Sequence, residues 1–113
     1  MHKHGQITVI SREELKEKID NGEKFLLVEV LSREEYGQGH LPNAINIPLS
    51  ELPERASKEL EKEKEIIVYC SDFSCRASGT AAHFLLHMGY QNVKEFAGGK
   101  KQWVQAGYPI EKL

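Results

Sequence analysis

Cys70 closes an apolar, β-branched run, Ile66-Ile67-Val68-Tyr69, and opens a short polar stretch, Ser71-Asp72-Phe73-Ser74-Cys75-Arg76. An apolar helical pattern follows at once. A thiol between a strand exit and a helix mouth is well placed to act as a sulfur nucleophile. Backbone N–H groups converge there, and the positive end of the helix dipole favours thiolate over thiol. The expectation is therefore a depressed pKa at Cys70. The loop offers up to six consecutive amides that can curl into an anion nest. Ser71 and Ser74 add hydroxyl donors, and Arg76 can give an oxyanion two parallel hydrogen bonds. Asp72, if it points inward, opposes that design, because two like charges ~4 Å apart repel by about 4 kcal/mol at an effective dielectric of about 20; the alternatives are that it points outward or acts as a general acid. Cys75 lies five residues after Cys70. It can resolve an oxidised or sulfur-loaded Cys70 by forming a disulfide, or serve as a small buried residue at the helix start.

These residues need a scaffold that sets a strand end against a helix start. The chain of 113 residues has 40% hydrophobic and 28% charged residues, enough for a single domain over 1–113 with one core. Residues 1–5 are expected to be disordered. A net charge of -2 offers no basic surplus for nucleic acid or an anionic membrane. No apolar run approaches the length of a membrane span, and no secretory signal pattern opens the chain, so the cytoplasm is the expected compartment. Two cysteines in such a reducing compartment read as reactive thiols.

Strand and helix patterns alternate, the signature of an α/β domain with a mainly parallel sheet. Strands are expected at 6–10, 25–30, 44–47, 66–69 and 92–96. Ser11 with Glu14, and Ser32 with Glu35, form capping boxes that open two helices. Leu49, Leu52, Ala56 and Leu60 keep a helical spacing with Pro53 in the first turn. Ala77, Ala81, Phe84, Leu85 and Met88 form the apolar face of the helix after the sulfur loop. Trp103, Gly107 and Tyr108 fit a Schellman end. The charge run 58–65 reads as a solvated helix end. Gly98 and Gly99 read as a tight turn near the loop. His2 with His4 can hold a stray metal ion but reads as part of a disordered terminus; His83 with His87 has a spacing that can hold a metal but lacks a third ligand and reads as two solvent-facing histidines, and no metal site is assigned.

Several stretches resemble the rhodanese family, in order, from about Phe25 onward. They are Phe25 to Val30; Glu34-Glu35-Tyr36 followed by Gly39-His40-Leu41-Pro42-Asn43-Ala44-Ile45-Asn46-Ile47-Pro48; Ile67-Val68-Tyr69-Cys70; Phe96-Ala97-Gly98-Gly99; and Trp103 through Ala106-Gly107-Tyr108-Pro109. The resemblance implies a three-layer α/β/α rhodanese-like domain with a five-stranded, mainly parallel sheet. It implies a sulfurtransferase in which Cys70 takes sulfane sulfur as a persulfide and passes it to a thiophilic acceptor, with no cofactor. The partner would be a small sulfur-donor anion or a persulfide-bearing protein. His40 matches the family's Gly-His pair and reads as a structural residue that bonds backbone. Five residues separate Cys70 from Arg76 where the family has four. That wider loop resembles the related cell-cycle phosphatases and arsenate reductases on the same fold, so a phosphatase or arsenate reductase using Cys70 and Arg76 is one alternative. A dithiol redox module using Cys70 and Cys75, or a non-catalytic one, is another. Glu29 and Leu31 stand where the family carries Asp and Arg, which removes one positive charge.

Overall fold

The computed structural model describes residues 7–113. The expected disorder at 1–5 and the His2/His4 pair lie outside the described residues. In chain order the elements are β1 (Thr8–Val9), α1 (Arg12–Asp20), β2 (Leu26–Glu29), α2 (Arg33–Gln38), β3 (Ile45–Asn46), α3 (Leu52–Glu59), β4 (Ile66–Tyr69), α4 (Ala77–His87), β5 (Val93–Phe96) and α5 (Gly99–Gln105). The five strands form one sheet in the order β1-β5-β4-β2-β3, and every pairing is parallel.

β4 is the central strand, and all four of its residues are buried. That is why it reads as an unbroken apolar run rather than an alternation. One face packs Val28, Val68 and Cys70 against Leu52 and Ala56 of α3 and Ala81, Ala82 and Leu85 of α4. The other packs Leu27, Ile67, Tyr69 and Phe96 against Leu15 of α1 and Trp103 of α5. Two apolar layers on one sheet give the expected α/β/α sandwich.

The local signals act as the physics requires. Both capping boxes are formed. Gly107 has φ 77°, and Tyr108 N–H donates to the Trp103 carbonyl while Gly107 N–H donates to that of Val104. The Trp103 and Tyr108 rings meet edge to face at 4.8 Å, completing the Schellman end. The elements are shorter than the sequence pattern at several ends. Residues Leu49–Glu51 form a 3-10 turn, and α3 begins only at Leu52. Pro53 lacks an N–H and sits in the first turn of the α-helix, so the chain enters it by a tighter coil. Met88 is not on the buried face of α4. It is the exposed C-cap, and the buried positions are Ser78, Ala81, Ala82 and Leu85. The charge run 58–65 is not wholly solvated either, because Glu65 lies largely buried between Lys18 and Lys94.

Candidate active site

The carboxyl ends of β2 and β4 and the start of α5 meet around the loop 71–76. Cys70 follows β4 directly, and its thiol is fully buried. Its sulfur accepts the N–H of Ser78, in the first turn of α4, and its S–H reaches the Ser78 hydroxyl oxygen at 3.3 Å. A helix-terminal amide does meet the sulfur, as the loop position implies. The expected depressed pKa does not follow. Burial first, and the hydrogen bond to Cys75 second, push the Cys70 thiol up to about 11. Removing solvent from a thiolate outweighs one amide and one hydroxyl.

Cys75 is half-buried, faces Cys70, and is a free thiol like it. Burial raises its pKa, but the hydrogen bond from Cys70 and the amides of Ser71 and Ala77 outweigh burial and lower it. Of the two sulfurs, Cys75 therefore gives up its proton first.

The six-amide nest is not formed. Asp72 Oδ1 accepts the N–H groups of Ser74 (3.0 Å) and Cys75 (3.1 Å) and the Ser74 hydroxyl (2.7 Å). These bonds, the Ser74 hydroxyl first, hold the Asp72 carboxyl below its ordinary value. Asp72 is an internal anion that occupies amides an external one would need. Arg76 is exposed at the N-cap of α4; its carbonyl accepts the Thr80 N–H, and its guanidinium makes no hydrogen bond or ion pair among the described residues. Phe73, at the loop tip, is 71% exposed.

α5 holds the loop from below. Lys100 N–H donates to the Cys70 carbonyl at 3.0 Å, and Lys101 N–H to that of Ser71 at 2.9 Å. Gly99 has φ 63°, and a Cβ there would lie 2.5 Å from the Cys70 carbonyl oxygen. The turn expected near the loop is thus a direct backbone contact with it.

On the opposite face of the sheet, Glu29 is buried and accepts the Tyr69 hydroxyl at 2.7 Å. Tyr69 in turn accepts the N–H of Leu41. The Lys100 ammonium lies 2.9 Å from Glu29 Oε2 but off the angle of a hydrogen bond, so that contact is an ion pair. Burial raises the Glu29 carboxyl, with Lys100 and Tyr69 pulling it back. Lys100 of α5 is thus the cation that faces the buried Glu29 carboxylate. His40 stacks on Tyr36 at 3.8 Å and bonds the Tyr36 carbonyl through Nδ1 at 2.8 Å, the backbone role expected of it. His83 and His87 are exposed. No cluster of three metal-ligating side chains occurs among the described residues. No helix there is long and apolar enough to cross a membrane.

Two residues beside Cys70 were not singled out from the sequence, Ser78 and Glu95. The Ser78 hydroxyl donates to Glu95 Oε2 at 2.7 Å. Ser78 carried a faint signal, because it shares the helical phase of Ala81, Ala82 and Leu85. Glu95 carried none, since only strand pairing brings β5 beside β4.

The comparisons agree with this architecture. A sulfurtransferase of Allochromatium vinosum is 32% identical over 104 residues, spanning 92% of this chain and 94% of that protein. The HTH-type transcriptional regulator Rv0324 of Mycobacterium tuberculosis is 37% identical over 103 residues, but the chain spans only 44% of its length. The crystal structure of the Alr3790 protein from Anabaena superposes with a TM-score of 0.85 at 31% identity, covering 92% of each chain. The model of the Rhodanese-like domain matches residues 11–106. With its all-parallel five-stranded sheet and a cysteine at the end of the central strand, the chain belongs to the rhodanese-like domain family.

Proposed function

We propose that the protein is a sulfurtransferase in which Cys70 carries sulfane sulfur as a persulfide and passes it to a thiophilic acceptor. Membership of the family and a sulfurtransferase among its relatives support the general role. The observation that carries the assignment to Cys70 is its place at the carboxyl end of the central strand, with polar partners on its sulfur inside an otherwise apolar layer. Ligands of parallel α/β sheets gather at that edge. Because the thiol is covered, a donor reaches it only when the loop 71–76 moves off the sulfur. Arg76, exposed at the loop's end, then meets the donor anion. The donor is a small sulfur-bearing anion or a persulfide-bearing protein, and a reducing compartment, the cytoplasm, suits two free thiols. Asp72 argues against a phosphate or arsenate in the loop, since it fills amide positions that a tetrahedral oxyanion would take. Incubation with thiosulfate is expected to add one sulfur atom to the peptide bearing Cys70. No sulfur on Cys70 from thiosulfate or from a persulfide, with turnover of an aryl phosphate instead, would transfer the assignment to the phosphatase reading.

The facing Cys70 and Cys75 thiols support a second reading, a dithiol that toggles to a disulfide. Mild peroxide would then remove two hydrogens from a protein that takes up no sulfur.

A further inference from the structure

Once Cys70 is read as the sulfur nucleophile, its proton needs a destination, because burial holds the thiol in its protonated form. The groups that face this sulfur are few. Cys75 approaches from the loop, Ser78 from α4, and Glu95 of β5 stands behind Ser78. Ser78 is fully buried and Glu95 half-buried. With Glu95 ionised, its carboxylate can only accept, so the single hydroxyl hydrogen of Ser78 is committed to it at 2.7 Å. Ser78 Oγ is then left as an acceptor toward Cys70, at 3.3 Å. With the Cys70 S–H on Ser78 rather than on Cys75, the chain runs in one direction, from thiol to hydroxyl to carboxylate.

We propose that Glu95, acting through Ser78, takes up the proton that Cys70 must lose before it attacks a sulfur donor. The Cys70 proton passes to Ser78 Oγ as the Ser78 proton passes to Glu95 Oε2. The S–H bond of Cys70 and the O–H bond of Ser78 break, one new O–H bond forms at each oxygen, and the negative charge moves from Glu95 to Cys70. Nothing is oxidised or reduced. The chain has then reversed, so that neutral Glu95 donates to Ser78 and Ser78 donates to the thiolate. That reversal gives a buried thiolate a hydroxyl donor it lacks at rest. Ser78 touches the reacting sulfur and is the catalytic group, and Glu95 is a positioning and proton-holding residue. Ser78 meets no solvent, and Gly79 lies beside the Glu95 carboxylate, where a Cβ would make only ordinary contact at 3.6 Å.

The test is made in a Cys75→Ala background, which removes the other acceptor for the Cys70 proton. Single-turnover loading of Cys70 from thiosulfate is followed by mass spectrometry from about pH 6 to about pH 10, a range that brackets free cysteine. Glu95→Gln is expected to load roughly a hundredfold more slowly at neutral pH and to converge on its parent as hydroxide takes over the proton. Ser78→Ala should behave alike, Glu95→Asp should recover part of the rate, and thermal unfolding identifies any variant that is merely unfolded. Loading of Glu95→Gln at the parent rate overturns the proposal. So does a loss that is the same at every pH, which would make Glu95 a structural residue only. If the parent takes up no sulfur from thiosulfate or a persulfide, the sulfurtransferase reading fails on its own. Alkylation of Cys70 by iodoacetamide over the same pH range then tests the proton chain, with the same slowing at neutral pH expected and its absence fatal.

Discussion

Replacing Gly99 by Ala probes the contact that seats the sulfur loop. Two penalties are expected. The first is conformational, because φ is 63°, and a non-glycine residue in the left-handed region costs about 1–2 kcal/mol. The second is steric. The new Cβ would stand 2.5 Å from the Cys70 carbonyl oxygen, 2.7 Å from Ser71 C and 2.9 Å from Asp72 N. All three are backbone atoms, so no flexible side chain can swing away, and the closest must yield by about 0.5 Å to reach the 3.0 Å floor for real Cβ contacts. That displacement strains the amide contacts from Lys100 and Lys101 that hold the same carbonyls. Overpacking of this kind adds about 1–3 kcal/mol. Gly107→Ala is the internal control, because φ is 77° there but nothing lies within 4 Å of the added methyl. It should lose only the conformational part. Urea unfolding of both variants measures the difference, expected to be at least about 1 kcal/mol and equivalent to a fall in Tm of about 4–8 °C for each kcal/mol. Thiol alkylation in folded Gly99→Ala should be faster at Cys70, as the displaced loop uncovers the sulfur. Equal destabilisation of the two variants, with unchanged alkylation, would show that α5 does not press on the loop and would refute the reasoning.

Three further outcomes follow from the same geometry. Cys75 should be alkylated by iodoacetamide at a pH below that needed for free cysteine, and ahead of Cys70 at every pH, as peptide mapping across pH would show; the opposite order contradicts the assigned polarity. Lys100→Met leaves the buried Glu29 carboxylate without its cation and should cost about 3–5 kcal/mol near neutral pH. Glu29 already has a raised folded value, and losing Lys100 raises it further. The variant's stability should therefore fall as pH rises from the unfolded carboxyl value through the folded one, with the gap to wild type narrowest in acid; a gap that widens on acidification would contradict this. Asp72→Ala frees the amides of Ser74 and Cys75, so phosphate should protect Cys75 from alkylation in the variant and not in wild type; protection in both would mean that Asp72 does not fill the nest.

The alternation of strands and helices, the two capping boxes and the Schellman end were legible because each depends on neighbours in the chain or on a simple period, whereas the three-layer order came from the family resemblance. Ser11 finds Glu14, and Gly107 turns back on Trp103, whatever the rest of the molecule does. Cys70 at the end of an apolar strand was legible for the same reason, and so was the role of Gly99 beside it.

The ionisation of that thiol was not legible, because it is set by what covers the sulfur rather than by what precedes and follows it. The helix amide expected at Cys70 is present, yet complete burial, imposed by packing against α4 and the loop, reverses the sign of the shift. Asp72 could have pointed into solvent; the turn it closes with Ser74 and Cys75 made it the occupant of its own nest. Ser78 and Glu95 lie on different elements and meet only because β5 pairs with β4 beneath α4. Motifs and periodicity thus determined which atoms could react, and the three-dimensional packing alone decided which of them hold protons. Solvation and long-range strand pairing act across the fold, where no local pattern records them.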